Sequence, residues 1–379
     1  MKILFLNHNQ EGLGTYWRCF FFAKYLSRRG CQIIMICASG KKFDFLVRRK
    51  KINKNFTIIT LPRLCYHKYF TGQIIFRLPL NCIFVLFLDY DLIYAFTVAQ
   101  PQIAIPAILG KFLRRKRLII DWDDLWSGGF AKIHGGLIEF VLTFFERKSL
   151  RFADRITYVS ELIGNEIKRI GFLNRAQKIP NGANVSQINP VDKNEAKRKL
   201  NLDEKEKYIV SVGNTYTESL KLLVDAFSRV SRKVKNLTLI LVGSIEMPQT
   251  FSFRKKKVMI VGKKPYSEIP YWLAVADVLV LPMEDNLIEK ARFPIRFGDY
   301  LCAKRPIVSN AVGEVKYFLE KYQAGLTCEP HSVEDFSNKI LLALNNDALS
   351  NKISENARKL AEGDLNWEKI AVKLTEVLK

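Results

Sequence analysis

Two doubly wound α/β domains in one chain are what this sequence predicts, on three observations. Continuous apolar runs of strand length recur, and three of them end on glycine: Tyr208–Val212 at Gly213, Leu237–Val242 at Gly243 and Val258–Val261 at Gly262. Stretches of helical periodicity alternate with these runs. The length of 379 residues exceeds one ordinary domain and suits two, with a turn-rich break at Lys178–Asn184 near the middle. Apolar runs without polar alternation are covered on both faces, the condition of a parallel sheet layered with helices.

The first half opens as strand, turn, helix, strand. Ile3–Leu6 is an apolar strand, Glu11-Gly12-Leu13-Gly14-Thr15 a glycine turn, Tyr16–Arg29 a helix closed by Gly30, and Gln32–Cys37 the next strand. Asp91–Ala95, Arg117–Asp121 and Ile156–Val159 read as later strands of the same sheet. Residues Gly136–Phe152 form an amphipathic helix with Leu137, Phe140, Val141, Phe144 and Phe145 on its apolar stripe. That stripe predicts a helix buried in the core, with seating on a lipid surface as the alternative. Beyond Pro180-Asn181-Gly182 the pattern restarts, adding helices at Leu220–Val234 and Ile269–Ala276, a strand at Val278–Leu281 and a last helix at Trp367–Leu378. Two such units joined by a turn set carboxyl-edge loops on both sides of a cleft.

Composition narrows the chemistry. The seven cysteines and four histidines are scattered without a C-x-x-C pair, which points to reduced thiols and no metal cage. The opening apolar run is too short for a signal peptide, and the longest one, near Cys82–Leu88, stops at Asp89. It cannot cross a bilayer, which needs roughly 20 apolar residues. The net charge is +23, unevenly spread: residues 1–190 hold 29 Lys/Arg against 12 Asp/Glu, the remainder 31 against 25. Runs such as Arg48-Arg49-Lys50-Lys51 and Arg114-Arg115-Lys116-Arg117 concentrate the excess and predict attraction to an anionic lipid surface or an acidic ligand. No RRM, helix-turn-helix or zinc signature accompanies the charge, so no nucleic acid is expected.

Three segments, in order, resemble the family 4 glycosyltransferases of the GT-B fold. Ile179-Pro180-Asn181-Gly182-Ala183-Asn184 is similar to the family's interdomain turn. Val258–Gly262 continuing through Tyr271–Pro282 resembles its second glycine strand and "aDv.vlP" segment. Pro294-Ile295-Arg296-Phe297-Gly298-Asp299-Tyr300 through Val308 resembles its "PxKxxEYmAxGkPvV" segment. The resemblance implies two Rossmann-like domains facing each other across a cleft. Residues 1–180 would be the acceptor domain, 181–364 the nucleotide-sugar domain, and 365–379 a helix crossing back to the first. It implies transfer of a hexose from a nucleoside diphosphate sugar, with retention of configuration, without metal or cofactor.

The chemistry of the third segment fits that role. Pro294 suits a helix start, leaving the N–H groups of Ile295 and its neighbours open to a diphosphate. Arg292 and Arg296 would flank the phosphates, and Asp299 would accept from ribose hydroxyls. The first acid of the family's Glu-x7-Glu pair is out of register here, at Ala291, so Glu289 becomes the candidate for the sugar hydroxyls. Where the family grips the diphosphate with Arg and Lys after the first glycine strand, this chain has Asn214 after Gly213, and Glu218. The charge is then expected from Lys221, Lys263, Arg292 or Arg296, with the base near Gly262–Lys264.

In the first half, Gly12, Gly14 and Thr15 resemble the family's glycine-rich loop, where backbone approaches donor or acceptor. Asp121-Trp122-Asp123-Asp124 gathers three carboxylates beside Trp122 and Trp126 at a strand's carboxyl edge. Asp124 is the candidate general base, with Asp121, Asp123 and Trp126 set to bind sugar; simple capping of the next helix is the competing reading. The acceptor implied is a lipid-linked or cell-surface oligosaccharide, met peripherally at the cytoplasmic face of the membrane. A UDP-sugar epimerase of the same fold, or a basic membrane- or nucleic-acid-binding protein with a degenerate donor site, are the alternatives.

Overall fold

Strand β1 (Lys2–Gln10) is followed by helix α1 (Thr15–Arg28), β2 (Gln32–Ala38), β3 (Arg48–Asn53), β4 (Phe56–Leu61) and α2 (Ile74–Phe87). Then come β5 (Leu92–Phe96), α3 (Pro101–Leu113), β6 (Arg117–Trp122), α4 (Gly136–Ser149), β7 (Arg155–Tyr158), α5 (Glu161–Arg169) and β8 (Ala176–Lys178). The computed structural model describes residues 1–41, 43–63, 74–214, 217–245 and 257–379; Cys65 and His67 lie outside them. These strands form one sheet in the order β3-β4-β2-β1-β5-β6-β7-β8, parallel except for β3 against β4. Its core strands are fully apolar inside, as the unbroken run Ile3–Leu6 requires.

The basic run Arg48–Lys51 is that antiparallel edge strand, with all four residues exposed. Lysine and arginine on an edge discourage pairing with another chain.

The second unit holds α6 (Lys193–Lys199), β9 (Lys207–Val212), α7 (Thr217–Val230), β10 (Leu237–Val242), β11 (Val258–Gly262), α8 (Ile269–Ala274) and β12 (Val278–Leu281). It continues with α9 (Leu287–Ala291), α10 (Ile295–Cys302), β13 (Ile307–Asn310), α11 (Gly313–Lys321), β14 (Leu326–Cys328), α12 (Val333–Asn345) and α13 (Asp347–Glu362). Its six strands are all parallel, in the order β11-β10-β9-β12-β13-β14. Leu223 and Phe227 of α7, Leu239 of β10, Val280 of β12 and Phe336 of α12 meet in its core.

The chain divides by its contacts into Met1–Pro180 with Trp367–Lys379, and Asn181–Asn366. The last helix, α14 (Trp367–Leu378), therefore belongs with the first unit. It packs along α1, where the buried Trp367 ring stacks on Phe21 at 5.2 Å and meets Phe22 edge-on at 5.7 Å.

Both sheets reverse their winding next to the first strand of the unit. In the first unit β2 lies on one side of β1 and β5 on the other; in the second, β10 and β12 flank β9. Loops leaving the carboxyl ends at such a reversal diverge and open a crevice for ligands.

One expectation is reversed. The apolar stripe of α4 faces solvent: Leu137 is 77% exposed, Phe140 65% and Phe144 46%, while Leu142, Glu146 and Ser149 face inward. Glu146 fixes that rotation, because its carboxylate accepts from the backbone N–H groups of Trp126 at 2.8 Å and Ser127 at 2.6 Å. A buried acid with two charge-assisted bonds outweighs the burial of one aromatic face. The helix also ends at Ser149, giving way to a 3-10 turn at Leu150–Phe152.

Truncating Trp367 to alanine would empty a stacked aromatic site. The expected loss is about 3–5 kcal/mol of stability, read by urea unfolding followed at far-UV wavelengths.

Candidate active site

The second unit's site is built from backbone. The glycines that end β9, β10 and β11 all have positive φ, at 105°, 139° and 76°. They are joined in series: Gly213 N–H donates to Val242 O at 2.7 Å, and Gly243 N–H to Gly262 O at 2.9 Å. A Cβ on Gly243 would lie 2.4 Å from Gly213 O, and one on Gly213 would lie 2.9 Å from Arg296 Cδ. At Gly243 the obstacle is backbone, which cannot move aside; at Gly213 the φ of 105° disfavours any side chain and a Cβ would displace the Arg296 stem.

Arg296 enters this seam from the first turn of α10. Its Nη1 donates to Asn214 O at 2.7 Å and to Val212 O at 3.3 Å. The helix that carries it is fixed on three sides. Tyr300 Oη accepts from Val212 N–H at 2.7 Å and donates to Val280 O at 3.2 Å, tying α10 to β9 and β12. Gly298 lies against the turn after Pro180, where a Cβ would come within 2.3 Å of Gly182 O, and Asn181 Nδ2 donates to Phe293 O at 2.6 Å. Pro294 occupies the cap position, one residue before the helix, and no side chain caps the N–H groups that follow. Gly213, Asn214, Pro294, Ile295 and Arg296 are thus brought together at the reversal between β9 and β12.

Other expected residues are placed differently. Glu289 is 1% exposed, and both its oxygens are held by Arg292, Nε to Oε2 at 2.9 Å with Nη2 to Oε1 completing the fork. Its expected contact with sugar hydroxyls is therefore replaced by a positioning role for Arg292, in a carboxyl that burial raises above its usual range. Asp299 is buried under Tyr266, whose hydroxyl donates to Oδ1 at 2.7 Å. Burial pushes this carboxyl up to about 7, opposed by the Tyr266 hydrogen bond. Arg296 and Asp299 each have partners in other elements, the carbonyls of 212 and 214 and the hydroxyl of Tyr266. Lys221 and Lys263 are exposed, and neither is drawn to this cluster.

In the first unit the reversal lies between β1 and β5. Gly14, at φ 52°, precedes Thr15 at the start of α1, and a Cβ on it would meet Asn9 Nδ2 at 2.5 Å. Gly12 O accepts from Trp17 Nε1 at 3.0 Å, which closes the glycine loop over the helix. Asp123 accepts from Thr97 Oγ1 at 2.9 Å. Thr97 sits at φ 60°, a region that β-branched residues rarely enter, so the end of β5 is held under strain beside this carboxyl. Burial pushes Asp123 up to about 8; the Asp124 and Asp121 carboxylates add to the rise and Arg18 opposes it. Trp126 packs edge-on to His8 with ring centroids 6.0 Å apart. Burial, with the Arg77 guanidinium, pushes His8 down to about 3, so it stays neutral. Asp124 is half-buried, and its backbone O accepts from Trp122 Nε1 at 3.1 Å.

Asp121 is a correction. It is 0% exposed and forms a fork with Arg18, Nε to Oδ2 at 2.7 Å and Nη2 to Oδ1 at 2.9 Å. Thr157 Oγ1 also donates to Oδ1, Tyr94 Oη lies 2.7 Å from that threonine, and Arg18 Nη2 reaches Ile179 O at 2.9 Å. Buried completely and bonded on both oxygens by its own chain, Asp121 lies beneath the loops rather than open to a ligand. Arg18, Tyr266, Thr97 and His8 were absent from the sequence candidates. Arg18 carried one signal, the single charge in the eight-residue aromatic stretch Tyr16–Ala23.

Two family profiles divide the chain between them. Glycosyltransferase Family 4 matches residues 16–187 and Glycosyl transferases group 1 matches residues 192–360. The chain belongs to the group 1, family 4-like glycosyltransferases. Its two parallel-sheet domains match solved GT-B structures over their whole length. Sucrose-phosphate synthase from Thermosynechococcus elongatus superposes with a TM-score of 0.76 at 18% identity, covering 100% of this chain and 98% of that one. HepE from Anabaena, in complex with UDP and glucose, gives 0.74 at 17%, covering 100% and 99%. WaaG, a glycosyltransferase involved in lipopolysaccharide biosynthesis, gives 0.70 at 16%, covering 100% and 99%. No curated protein matches the chain by sequence. As a member of this family the glycosyltransferase draws its sugar from a nucleotide-sugar donor.

The Arg18–Asp121 pair gives a test of the first unit's site. Asp121→Ala leaves a buried guanidinium uncompensated and is expected to lose about 3–5 kcal/mol, whereas Arg18→Met with Asp121→Leu recovers most of it. Chemical denaturation of the three proteins measures both; equal loss in the single and double variants would assign the pair no electrostatic part.

Proposed function

We propose that this glycosyltransferase moves a hexose from a nucleoside diphosphate sugar to a lipid-linked or cell-surface glycan acceptor, working peripherally at the cytoplasmic face of a membrane. The observation that carries the donor half is Arg296, set on the carbonyls of residues 212 and 214 beside the uncapped start of α10. A diphosphate there would accept from helix N–H groups and from the guanidinium. In this reading Asp299 accepts from the ribose, the base lies near Gly262–Lys264, and Arg292, oriented by Glu289, adds positive charge. HepE, solved with UDP and glucose, supports the choice of donor class.

The acceptor half rests on the first unit. Its excess of 17 positive charges over residues 1–190 suits an anionic carrier. WaaG, a glycosyltransferase involved in lipopolysaccharide biosynthesis, is similar in fold. The step breaks the bond from the anomeric carbon to the diphosphate oxygen and forms one to the acceptor oxygen. The hydroxyl proton passes to an oxygen of the departing diphosphate, and the remaining negative charge collects on that diphosphate, where Arg296 and the helix end stabilise it. Retention of configuration without a metal is the outcome proposed. Asp124 is the residue assigned to the acceptor hydroxyl, with Asp123 and Trp126 set beside it to bind sugar.

A thermal-shift panel of UDP-, GDP- and dTDP-sugars tests the donor site. One donor is expected to stabilise the protein, and Arg296→Ala to weaken it by about 2 kcal/mol, roughly thirtyfold. Ribose hydroxyls need the ionised form of Asp299, so affinity should fall up to about tenfold per pH unit below 7. Asp299→Asn should flatten that profile. Equal stabilisation of wild type and both variants, or a flat wild-type profile, would remove the assignment.

A further inference from the structure

Three neighbouring helices of the first unit carry their polarity inside out. Connections between parallel strands are right-handed, so α2, α3 and α4, each stepping the same way along the sheet, share one face. They pack in that order, α2 against α3 and α3 against α4. In α2 the inward row is Arg77, Asn81 and Val85. Arg77 donates to the backbone oxygens of Asn7 at 2.7 Å and His8 at 2.5 Å, and Asn81 Nδ2 donates to Gln102 O of α3 at 2.7 Å. The outward row of α2 is Phe76, Ile83 and Phe87, the last 82% exposed. Helix α4 repeats the pattern with Glu146 inside and Leu137, Phe140 and Phe144 outside. Phe112 and Leu113 at the end of α3 are also exposed, and the Phe112 ring meets Phe152, just past α4, at 5.6 Å.

A helix on a water-facing surface puts charges outward. Here Arg77 and Glu146 are spent inside on backbone groups, and large apolar side chains take much of the outer surface over three adjacent helices. Contiguous exposure of that extent marks a surface that is covered in use. Its positive charge identifies the cover. The loop leaving α3 carries Arg114, Arg115 and Lys116, of which Arg114 donates to the carbonyl of Leu88 at 3.4 Å, and the end of α4 carries Arg147 and Lys148, with Arg151 just past it. Of the acids nearby, Asp154 is engaged with Lys111 at 2.6 Å, Asp89 with Lys2, and Glu146 with two N–H groups; Glu139 of α4 shares the outer face with Phe140 and Phe144 and is outnumbered there by the arginines and lysines. At 14 residues each, α2 and α4 are about 21 Å long, too short to cross a hydrocarbon core of about 30 Å.

We infer that the outer face of α2, α3 and α4 lies in the headgroup layer of an anionic bilayer. The phenylalanines enter the acyl boundary, and the arginines and lysines beyond the ends of α3 and α4 meet lipid phosphates. This deepens the reading of a membrane-borne acceptor by naming the surface that holds the enzyme beside it.

Vesicle flotation with the full chain tests the inference. Wild type is expected to float with vesicles containing phosphatidylglycerol, less with phosphatidylcholine alone, and less in high salt. The triple variant Phe87→Ser, Phe140→Ser, Phe144→Ser should lose about tenfold or more in bound fraction at low salt. Its melting temperature and sugar-nucleotide stabilisation should match wild type. Arg115→Gln with Lys148→Gln should abolish the preference for phosphatidylglycerol. Should the triple variant fail to fold, Phe87→Ser alone, at the most exposed of the three side chains, carries the test with a severalfold loss. Equal recovery with and without vesicles, or equal flotation of wild type and variant, overturns the inference. So does sedimentation showing a dimer that the triple variant dissolves while neither protein floats, since the cover is then a second copy. Vesicle binding without stabilisation by any sugar nucleotide upholds this surface and sinks the transferase reading instead. The reverse result sinks this surface alone.

Discussion

A guanidinium held on two carbonyl oxygens at the end of one strand organises the second unit. Arg296 can lie on the oxygens of residues 212 and 214 only because Gly213 has no Cβ, which would stand 2.9 Å from the arginine's Cδ. Gly213 can take that backbone path only because Gly243 has none either. The helix delivering Arg296 is held by the Tyr300 hydroxyl on β9 and β12 and by contact of Gly298 with the turn at Gly182. Strand ends, helix start and interdomain turn are one set of mutual constraints, and a positive charge at an open helix end is what they produce.

The first unit solves the parallel problem with side chains. At its winding reversal the fork between Arg18 and Asp121 sits beneath the loops, with Thr157, Tyr94 and the Ile179 carbonyl completing the network. Above it a strained Thr97 holds Asp123, whose pKa is raised by burial and by two neighbouring carboxylates. Acids of one tetrapeptide thus separate into one paired with a buried guanidinium and one pushed upward, by environment alone. The same economy of charge shapes the helices: Arg77 and Glu146 bond backbone groups inside, leaving aromatic rings outside.

Strands were legible because a doubly covered strand must be an unbroken apolar run, and glycine at its carboxyl end marks where the backbone turns under crowding. Ile3–Leu6 and Val278–Leu281 are such runs, and Leu237–Val242 ends on Gly243. The α10 segment was legible through Pro294 and the residue types following it. What could not be read were pairings across sequence distance. Arg18 and Asp121 lie 103 residues apart, and Tyr266 and Asp299 lie 33 apart. Periodicity located the apolar stripe of α4 and missed its direction, since a stripe has the same spacing facing either way. Only Glu146, bonded to N–H groups 19 and 20 residues earlier, sets the rotation. The basic run at Arg48 failed as a strand signal because an exposed edge strand has no apolar face to reveal it.

The most direct measurement of the central claim is a crystal structure of the protein with a bound nucleoside diphosphate. The pyrophosphate is expected within hydrogen-bonding reach of the Ile295 and Arg296 N–H groups, with the Arg296 guanidinium turned from the residue 214 carbonyl onto phosphate oxygen and the ribose on Asp299. A pyrophosphate bound elsewhere, with Arg296 still on the carbonyls of Val212 and Asn214, would contradict it.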